Sequence, residues 1–421
     1  MAAAFLGTAS FFFYGWWNSK YVIILSISII LNYGAGYAIN ALLKDRPRLS
    51  KKLLIIGICF NLLLLSYYKY TNFFLGSLSQ ISGMDLTVGR IILPLGISFF
   101  TFTQIGFLVD VYAEKVREYN FLHYLLFVTY FPHLIAGPVL HHAQIIPQFI
   151  LKKTYRFNMS NICVGLTFFS IGLAKKVFLA DNFAVYVTPV FDASSAGIVP
   201  TMLEAWGGAL AYTLQLYFDF SGYSDMAIGI SQLFNVRLPV NFNSPYKAIN
   251  IIEFWRCWHI SLAVFLRDYL YIPLGGNRKG QIRRYLNLMI TMFLGGLWHG
   301  AGWTFIVWGC LHGLYLSINH GFRSFMTRIG IARKITKFGT LTSSSITFVS
   351  VVVAWVIFRS DTLSSAFHII SGMIGIGGIS LPQSLEYLFL NNHLKFLTQG
   401  LGFVFEGGAP VTKMDISSCA S

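Results

Sequence analysis

Apolar stretches long enough to cross a bilayer recur along this chain. Residues 21–43 and 53–75 are the clearest examples, and about 20 apolar residues are enough for a helical span. Only 11% of the 421 residues are charged and 55% are hydrophobic, whereas a soluble protein has about 25% charged residues. The sequence therefore predicts an integral membrane protein.

The distribution of basic residues predicts which loops face the cytoplasm. The chain has a net charge of +15, and basic loops of membrane proteins concentrate on the cytoplasmic side. Residues 44–52 and 237–284 are strongly basic and are placed there, whereas 76–89 has no Lys or Arg and is placed outside. Anionic lipid headgroups are the expected partner of this charge. No soluble basic domain is present to bind nucleic acid.

The tripeptide Trp298-His299-Gly300 is the most unusual feature within the apolar segments. It lies in residues 285–322, which contain no Asp, Glu, Lys or Arg. Ionisable residues are costly at membrane depth and usually face the protein interior or a polar cavity. Gly295, Gly296 and Gly302 surround the histidine, and irregular backbone at this depth is tolerated only when it is buried or lines a cavity. His299 is thus a functional candidate, with a purely structural histidine as the alternative.

A second histidine lies in the basic segment. Residues 252–270 show a helical period, with aromatic residues on one face and charged residues on the other, which predicts one amphipathic helix at the membrane interface. His259 shares a flank with Trp255, and its alternative interpretation is a histidine bonded to backbone. Cys257 could carry an acyl group, but a neighbour at i+2 points to a different helix face.

Neutral histidine is suited to removing a proton from an alcohol, because its pKa lies close to working pH. A thioester acyl donor is already activated and needs no serine nucleophile, and the chain has no G-x-S-x-G elbow. The five cysteines form no C-x-x-C pair, so the sequence predicts neither a metal site nor a disulfide framework.

Two further polar clusters have alternative interpretations. Asp219 and Asp225 could belong to an ion path or a metal site, but the surrounding Gly and Ser residues favour helix capping and tight packing. Asn277, Arg278 and Lys279 follow two glycines and could bind a phosphate. The glycines match no P-loop pattern, which favours a simple cytoplasmic turn.

Four sequence runs resemble the membrane-bound O-acyltransferase (MBOAT) family. They are NFNSPYK from Asn241, FWRCWHISL from Phe254, LRDYLYIPLGGNR from Leu266 and GGLWHGAGW from Gly295. The match is best with the bacterial alginate O-acetyltransferase branch and extends to about residue 375. It implies an all-α bundle of about 9–11 membrane helices plus re-entrant segments around a cytoplasm-facing funnel. Residues 1–378 would form this single domain, and 379–421 a weakly patterned, truncated or atypical C-terminal segment.

The resemblance also implies a function and a set of site residues. His299 matches the catalytic histidine of the family, and His259 matches a second histidine upstream. An acetyl group would pass from a cytoplasmic thioester, acetyl-CoA or an acyl carrier protein, across the bacterial inner membrane to an exopolysaccharide, with alginate favoured. No tightly bound cofactor is expected. The substrate or tunnel candidates are Trp298, Trp255, Arg267, Asp268 and Asn277.

The expected partners are membrane lipid, a periplasmic protein with a serine-hydrolase-like acetyltransferase site, and the polysaccharide biosynthesis machinery. Peptidoglycan, teichoic acid or another surface glycan is the alternative acceptor, and a membrane transporter is the non-enzyme alternative. The chain departs from the branch at Cys257, where a second Arg is usual. It also departs at its ends, where relatives usually have another apolar helix before Gly15-Trp16-Trp17 and a different last helix.

Overall fold

Helices dominate the computed structural model, which describes residues 2–86, 88–89, 91–116, 120–134, 137–330, 337–382 and 403–406. Those of the first half are α1 (Ala2–Trp17), α2 (Lys20–Leu42), α3 (Pro47–Ser82), α4 (Ile97–Tyr112), α5 (Phe121–Thr129), α6 (Phe131–Leu134), α7 (His142–Ile150) and α8 (Met159–Ala174). A π-helical segment, Lys175–Ala180, joins α8 to α9 (Asp181–Ser195).

The second half continues with α10 (Met202–Leu233), α11 (Ile251–Cys257), α12 (Ile260–Leu266), α13 (Gly280–His299), α14 (Trp303–Arg328), α15 (Lys337–Arg359) and α16 (Leu363–Met373). A π-helical segment, Arg267–Tyr271, follows α12, and 3₁₀ turns lie at Lys152–Tyr155 and Pro245–Lys247. Two short strands, β1 (Ile379–Pro382) and β2 (Phe403–Glu406), pair in parallel.

Within the described part of the chain, four helical stretches are long and apolar enough to cross a membrane, namely Lys20–Leu42, Pro47–Ser82, Met159–Ser195 and Lys337–Arg359. The prediction of an all-α, multi-pass membrane protein is confirmed, with the β1–β2 pair as a short addition near the C-terminus. The number of 9–11 spans and the domain boundary at residue 378 stay predictions. Most of the predicted segment 379–421 lies outside the described residues.

Two of the apolar segments are interrupted, one of them at the break predicted around His299. The uncharged stretch around His299 forms a hairpin of α13 and α14, interrupted at residues 300–302. The stretch 121–150 is divided into three short helices, of which α5 packs against α7. Pro132, Gly137 and Pro138 lie at or between these helices, where proline and glycine disfavour a continuous helix.

Helices α8 and α10 cross at two pairs of glycines. A Cβ atom on Gly229 would lie 2.6 Å from the Gly165 carbonyl oxygen, and one on Gly222 would lie 2.7 Å from the Gly172 carbonyl oxygen. Gly165 and Gly172 are one heptad apart, as are Gly222 and Gly229, so both pairs face the same seam. Small residues of this kind let membrane helices approach closely.

We expect Gly229→Ala to destabilise the α8–α10 seam, because the new methyl group would meet the α8 backbone at both Gly165 and Phe169. Overpacking costs typically about 1–3 kcal/mol, and the measurement is the thermal unfolding midpoint of the purified protein in detergent. Gly207→Ala is the matched control, since it lies in the same helix and a Cβ there has no heavy atom within 4 Å. Equal unfolding midpoints for the two variants would contradict the close packing of α8 against α10 at Gly229.

Two carboxylates of α10 form ion pairs with the π-helical segment Lys175–Ala180. Asp225 pairs with Lys175 at 2.6 Å, and Asp219 pairs with Lys176 at 2.7 Å. The capping prediction for these aspartates is wrong, because both lie well inside α10, where backbone donors already have helical partners. The packing prediction is confirmed at Gly222, which lies between them. No group of three His, Cys, Asp or Glu residues suited to a metal was found among the residues described.

Candidate active site

The predicted continuous helix over residues 252–270 is wrong, because the chain breaks at Trp258 and His259. Helix α11 ends at Cys257, α12 begins at Ile260, and His259 has φ +43° and ψ 53°. A non-glycine residue in this left-handed region is uncommon and is held only by its surroundings. Here the backbone carbonyl oxygen of Asn241 accepts a hydrogen bond from the backbone N–H of Ile260 at 2.9 Å. In a continuous helix, that N–H would donate to a carbonyl of the helix itself.

The side chain of Asn241 also fixes the tautomer of His259. Its Oδ1 accepts the backbone N–H of Ser261 at 3.2 Å and the Ser261 hydroxyl at 2.8 Å, so this atom must be the amide oxygen. The same oxygen lies 3.2 Å from His259 Nδ1, which must therefore carry a proton and donate it. The buried Nε2 atom of His259 has no hydrogen-bond partner among the residues that the structure describes and keeps a free lone pair in the neutral ring.

His299 is the last residue of α13, and aromatic rings hold its imidazole. Its ring centroid lies 4.9 Å from Trp298, 5.2 Å from Trp308 and 5.4 Å from Phe358. The His259 ring is 6.3 Å away, centroid to centroid. No hydrogen bond to the His299 ring is found among the described residues, so both ring nitrogens are available to a bound molecule.

Gly300 follows α13 in extended backbone, at a place where no side chain fits. A Cβ atom on Gly300 would overlap the ring of Phe305. Phe305 in turn packs edge-on against Phe358 at 5.0 Å, and Phe358 contacts His299. The glycine in Trp298-His299-Gly300 therefore allows the aromatic wall behind the histidine to close.

Both histidines line one cavity of about 290 Å³, which we call the histidine cavity. Its other lining residues include Lys69, Ser98, Phe220 and Trp298. Residues 93–99, at the start of α4, form one wall. They follow residues 76–89, the loop that the charge distribution predicts to lie outside the cytoplasm.

A second cavity of about 410 Å³, which we call the basic cavity, is lined in part by α12. Arg256, Arg267, Tyr271 and His320 contribute to its lining, together with Trp255. Ile260 and Ala263 of α12 line it as well, whereas the adjacent His259 lines the histidine cavity. Leu262 of the same helix belongs to one apolar cluster with Trp298 of the histidine cavity, so α12 contacts residues of both cavities.

The other predicted site residues do not all lie at the same cavity. Trp298 joins the two histidines, whereas Trp255 and Arg267 line the basic cavity. Asp268 pairs with Arg267 at 2.7 Å, and this hydrogen bond raises the pKa of the guanidinium above its usual value. Asn277 accepts a hydrogen bond from the Tyr271 hydroxyl and lines neither cavity.

Three residues of this region were not among the predicted site residues. Lys69 lines the histidine cavity and is the only charged residue from 53 to 84, a signal that was available in the sequence. His312 is fully buried and accepts the Trp255 indole N–H at 3.2 Å. Asn241 holds His259, but its partner is 18 residues away in sequence, and spacing alone does not reveal such a contact.

The family model described as "MBOAT, membrane-bound O-acyltransferase family" matches residues 62–358. The chain belongs to this family. Membership makes the protein an acyltransferase and a multi-pass membrane protein, as predicted from the resemblance.

Several named proteins are similar to this chain. A peptidoglycan O-acetyltransferase from Helicobacter pylori is 44% identical, with 89% of this chain and 74% of that protein covered. A probable alginate O-acetylase from Pseudomonas aeruginosa is 42% identical, with 89% and 70% covered. A teichoic acid D-alanyltransferase from Streptococcus thermophilus is 29% identical over 53% of this chain and 56% of that protein.

Proposed function

We propose that the protein transfers an acetyl group from a cytoplasmic thioester towards an acceptor on the outer side of the bacterial inner membrane, for O-acetylation of a cell-surface glycan. The observation that carries this proposal is the presence of two cavities that meet the chain at consecutive residues, His259 in the histidine cavity and Ile260 in the basic cavity. In our proposal the basic cavity faces the cytoplasm and the histidine cavity faces the outer side. Both candidate catalytic residues, His259 and His299, line the outer one.

The basic cavity has the chemistry of a donor site. Acetyl-CoA carries phosphates, and an acyl carrier protein presents a phosphate near its thioester arm, so both donors would meet Arg256 and Arg267 favourably. Arginine is well suited to bind phosphate because its planar guanidinium can donate two parallel hydrogen bonds. Neither donor would be a tightly bound cofactor, since each leaves after one transfer.

The histidines would handle the proton of the acceptor hydroxyl. In our proposal His299 removes this proton as the hydroxyl oxygen attacks the thioester carbonyl, and His259 assists through its free Nε2 lone pair. The carbon–sulfur bond then breaks, and the proton passes to the leaving thiolate, so the products are an ester and a free thiol. General base catalysis of this kind contributes about 10²–10⁴-fold to a rate.

The acceptor class follows from the relatives. Those named as alginate O-acetylases support the predicted exopolysaccharide, with alginate as first candidate. The Helicobacter pylori relative is named a peptidoglycan O-acetyltransferase and has comparable identity and coverage, which favours peptidoglycan as a second candidate. In either case we propose that a periplasmic serine-hydrolase-like partner and the polysaccharide machinery complete the transfer. Trp298, Trp255 and Arg267 would line the path between the cavities.

The proposal can be tested with purified protein in proteoliposomes and acetyl-CoA labelled in its acetyl group. We expect release of the free thiol, together with label on mannuronate oligomers or on peptidoglycan fragments when the partner protein is added. The acceptor that takes the label decides between the two candidates. A transporter would instead move label without releasing thiol, and thiol release that persists in His299→Ala would overturn the proposed site.

A further inference from the structure

Two neighbouring side chains of α3 hold the end of α13, directly before His299. The last four carbonyl groups of a helix have no partner within the helix. In α13 the Tyr70 hydroxyl donates to the Leu297 carbonyl oxygen at 2.7 Å. The Lys69 ammonium donates to the Trp298 carbonyl oxygen. Two consecutive carbonyls of α13 are therefore capped by two consecutive residues of α3.

Lys69 makes a second bond that ties in α4. Its Nζ donates to the Ser98 hydroxyl at 3.1 Å, and it lies 5.8 Å from the centroid of the Trp298 ring. An ammonium group within a membrane span is costly and usually marks a functional site. The negative end of the α13 dipole and the two acceptors offset part of that cost. The same side chain lines the histidine cavity beside His299.

Besides the packing of α13 against α14 at Gly296 and Gly309, this anchor holds the backbone directly before His299. Its imidazole makes ring contacts but no hydrogen bond among the described residues, and the chain continues into the extended Gly300. The end of α13 can then be fixed only through its backbone carbonyls or through packing. A displacement of about 1 Å at a catalytic group can cost about 10²-fold in rate.

We propose that Lys69 and Tyr70 are positioning residues that hold the C-terminal end of α13 so that His299 faces the histidine cavity. Lys69 contributes a charged cap and a link to α4, and Tyr70 contributes a neutral cap. This inference rests on the proposed function, because it assigns to the two residues a role in the acetyl transfer attributed to His299.

The test compares Lys69→Met, Lys69→Arg and Tyr70→Phe in the proteoliposome assay. We expect Lys69→Met to lower kcat for thiol release from acetyl-CoA by about 10–100-fold and to leave KM within about threefold, because a misplaced base is felt in the transition state and not in donor binding. Lys69→Arg keeps a charged donor and should recover a large part of kcat. Tyr70→Phe should have a smaller effect in the same direction.

A chemical rescue keeps the test decisive if Lys69→Met folds poorly. Treating Lys69→Cys with bromoethylamine converts the cysteine into a close lysine analogue, and we expect kcat to rise at least tenfold. Wild-type protein treated in the same way controls for reaction at the exposed Cys59 and Cys163. Rescue restricted to Lys69→Cys supports a role for the ammonium at this position, whereas no rescue in folded protein contradicts it.

Lys175→Met is the matched control, since Lys175 is also a lysine of a membrane helix but pairs with Asp225 away from both cavities. It should lower the unfolding midpoint and leave kcat unchanged. Full kcat in Lys69→Met, or equal losses in Lys69→Met and Lys175→Met, would overturn the inference. Failure of the proposed function would look different, because wild-type protein itself would then release no thiol.

Discussion

Replacing His299 by alanine is expected to lower acetyl transfer by about 10²–10⁴-fold, the usual contribution of a general base. The imidazole is the only ionisable group at the end of α13, and its nitrogens are free for the acceptor hydroxyl. The measurement is thiol release and ester formation in proteoliposomes, together with O-acetylation of the surface glycan in cells. Membrane abundance should stay unchanged.

A second variant at this position separates chemistry from packing. The His299 ring contacts Trp308 and Phe358, so alanine also removes aromatic contacts. His299→Phe keeps a ring of similar size without a titratable nitrogen, and we expect it to be as inactive as His299→Ala but closer to wild type in unfolding midpoint. Substantial transfer by His299→Phe would show that the ring alone is needed and would refute the role as a base.

Replacing Asn241 by leucine is expected to have the next largest effect. The Asn241 side-chain oxygen accepts from the Ser261 N–H, the Ser261 hydroxyl and His259 Nδ1. Loss of this acceptor leaves buried donors unpaired at about 1–3 kcal/mol each and frees His259 to adopt the other tautomer. We expect transfer to fall at least tenfold, measured as kcat in the proteoliposome assay, with a lower unfolding midpoint.

Asn61→Leu provides the control for the loss of stability. Asn61 is fully buried and exchanges hydrogen bonds with Asn32 between α2 and α3, and it lines neither cavity. Its replacement should lower the unfolding midpoint to a similar extent while kcat of the folded fraction is kept. If both asparagine variants lose transfer in proportion to their unfolding, the tautomer of His259 has no part in the activity.

Much of the fold could be predicted because lipid imposes simple rules on sequence. Segments such as 21–43 and 53–75 had to be helical spans, and they correspond to α2 and α3. The glycines around His299 predicted a break, and the hairpin of α13 and α14 has it there. The prediction of one helix failed at residues 252–270. The apolar period there is helical, but the backbone N–H of Ile260 donates to the Asn241 carbonyl oxygen and not to a carbonyl of the preceding turn.

The candidate site could be predicted only in part. His259, His299 and Trp298 were found from chemistry and motif resemblance, and the structure brings them to one cavity. Asp268 and Asn277 were predicted with them but bond to Arg267 and Tyr271 and line neither cavity. Lys69 was overlooked, because an isolated lysine in an apolar span does not show which carbonyl it will meet.

By itself, the sequence determined that the chain is a helical membrane protein, that its family is that of the O-acyltransferases, and that two histidines are candidates for its chemistry. These conclusions depend on hydropathy, charge and local motifs, which are properties of short segments. Only the tertiary structure decided that His259 and Ile260 line two different cavities, that Asn241 sets the tautomer of His259, and that α3 caps α13. Those features depend on contacts between residues as far apart as 229 positions in sequence, and such contacts exist only once the helices have packed.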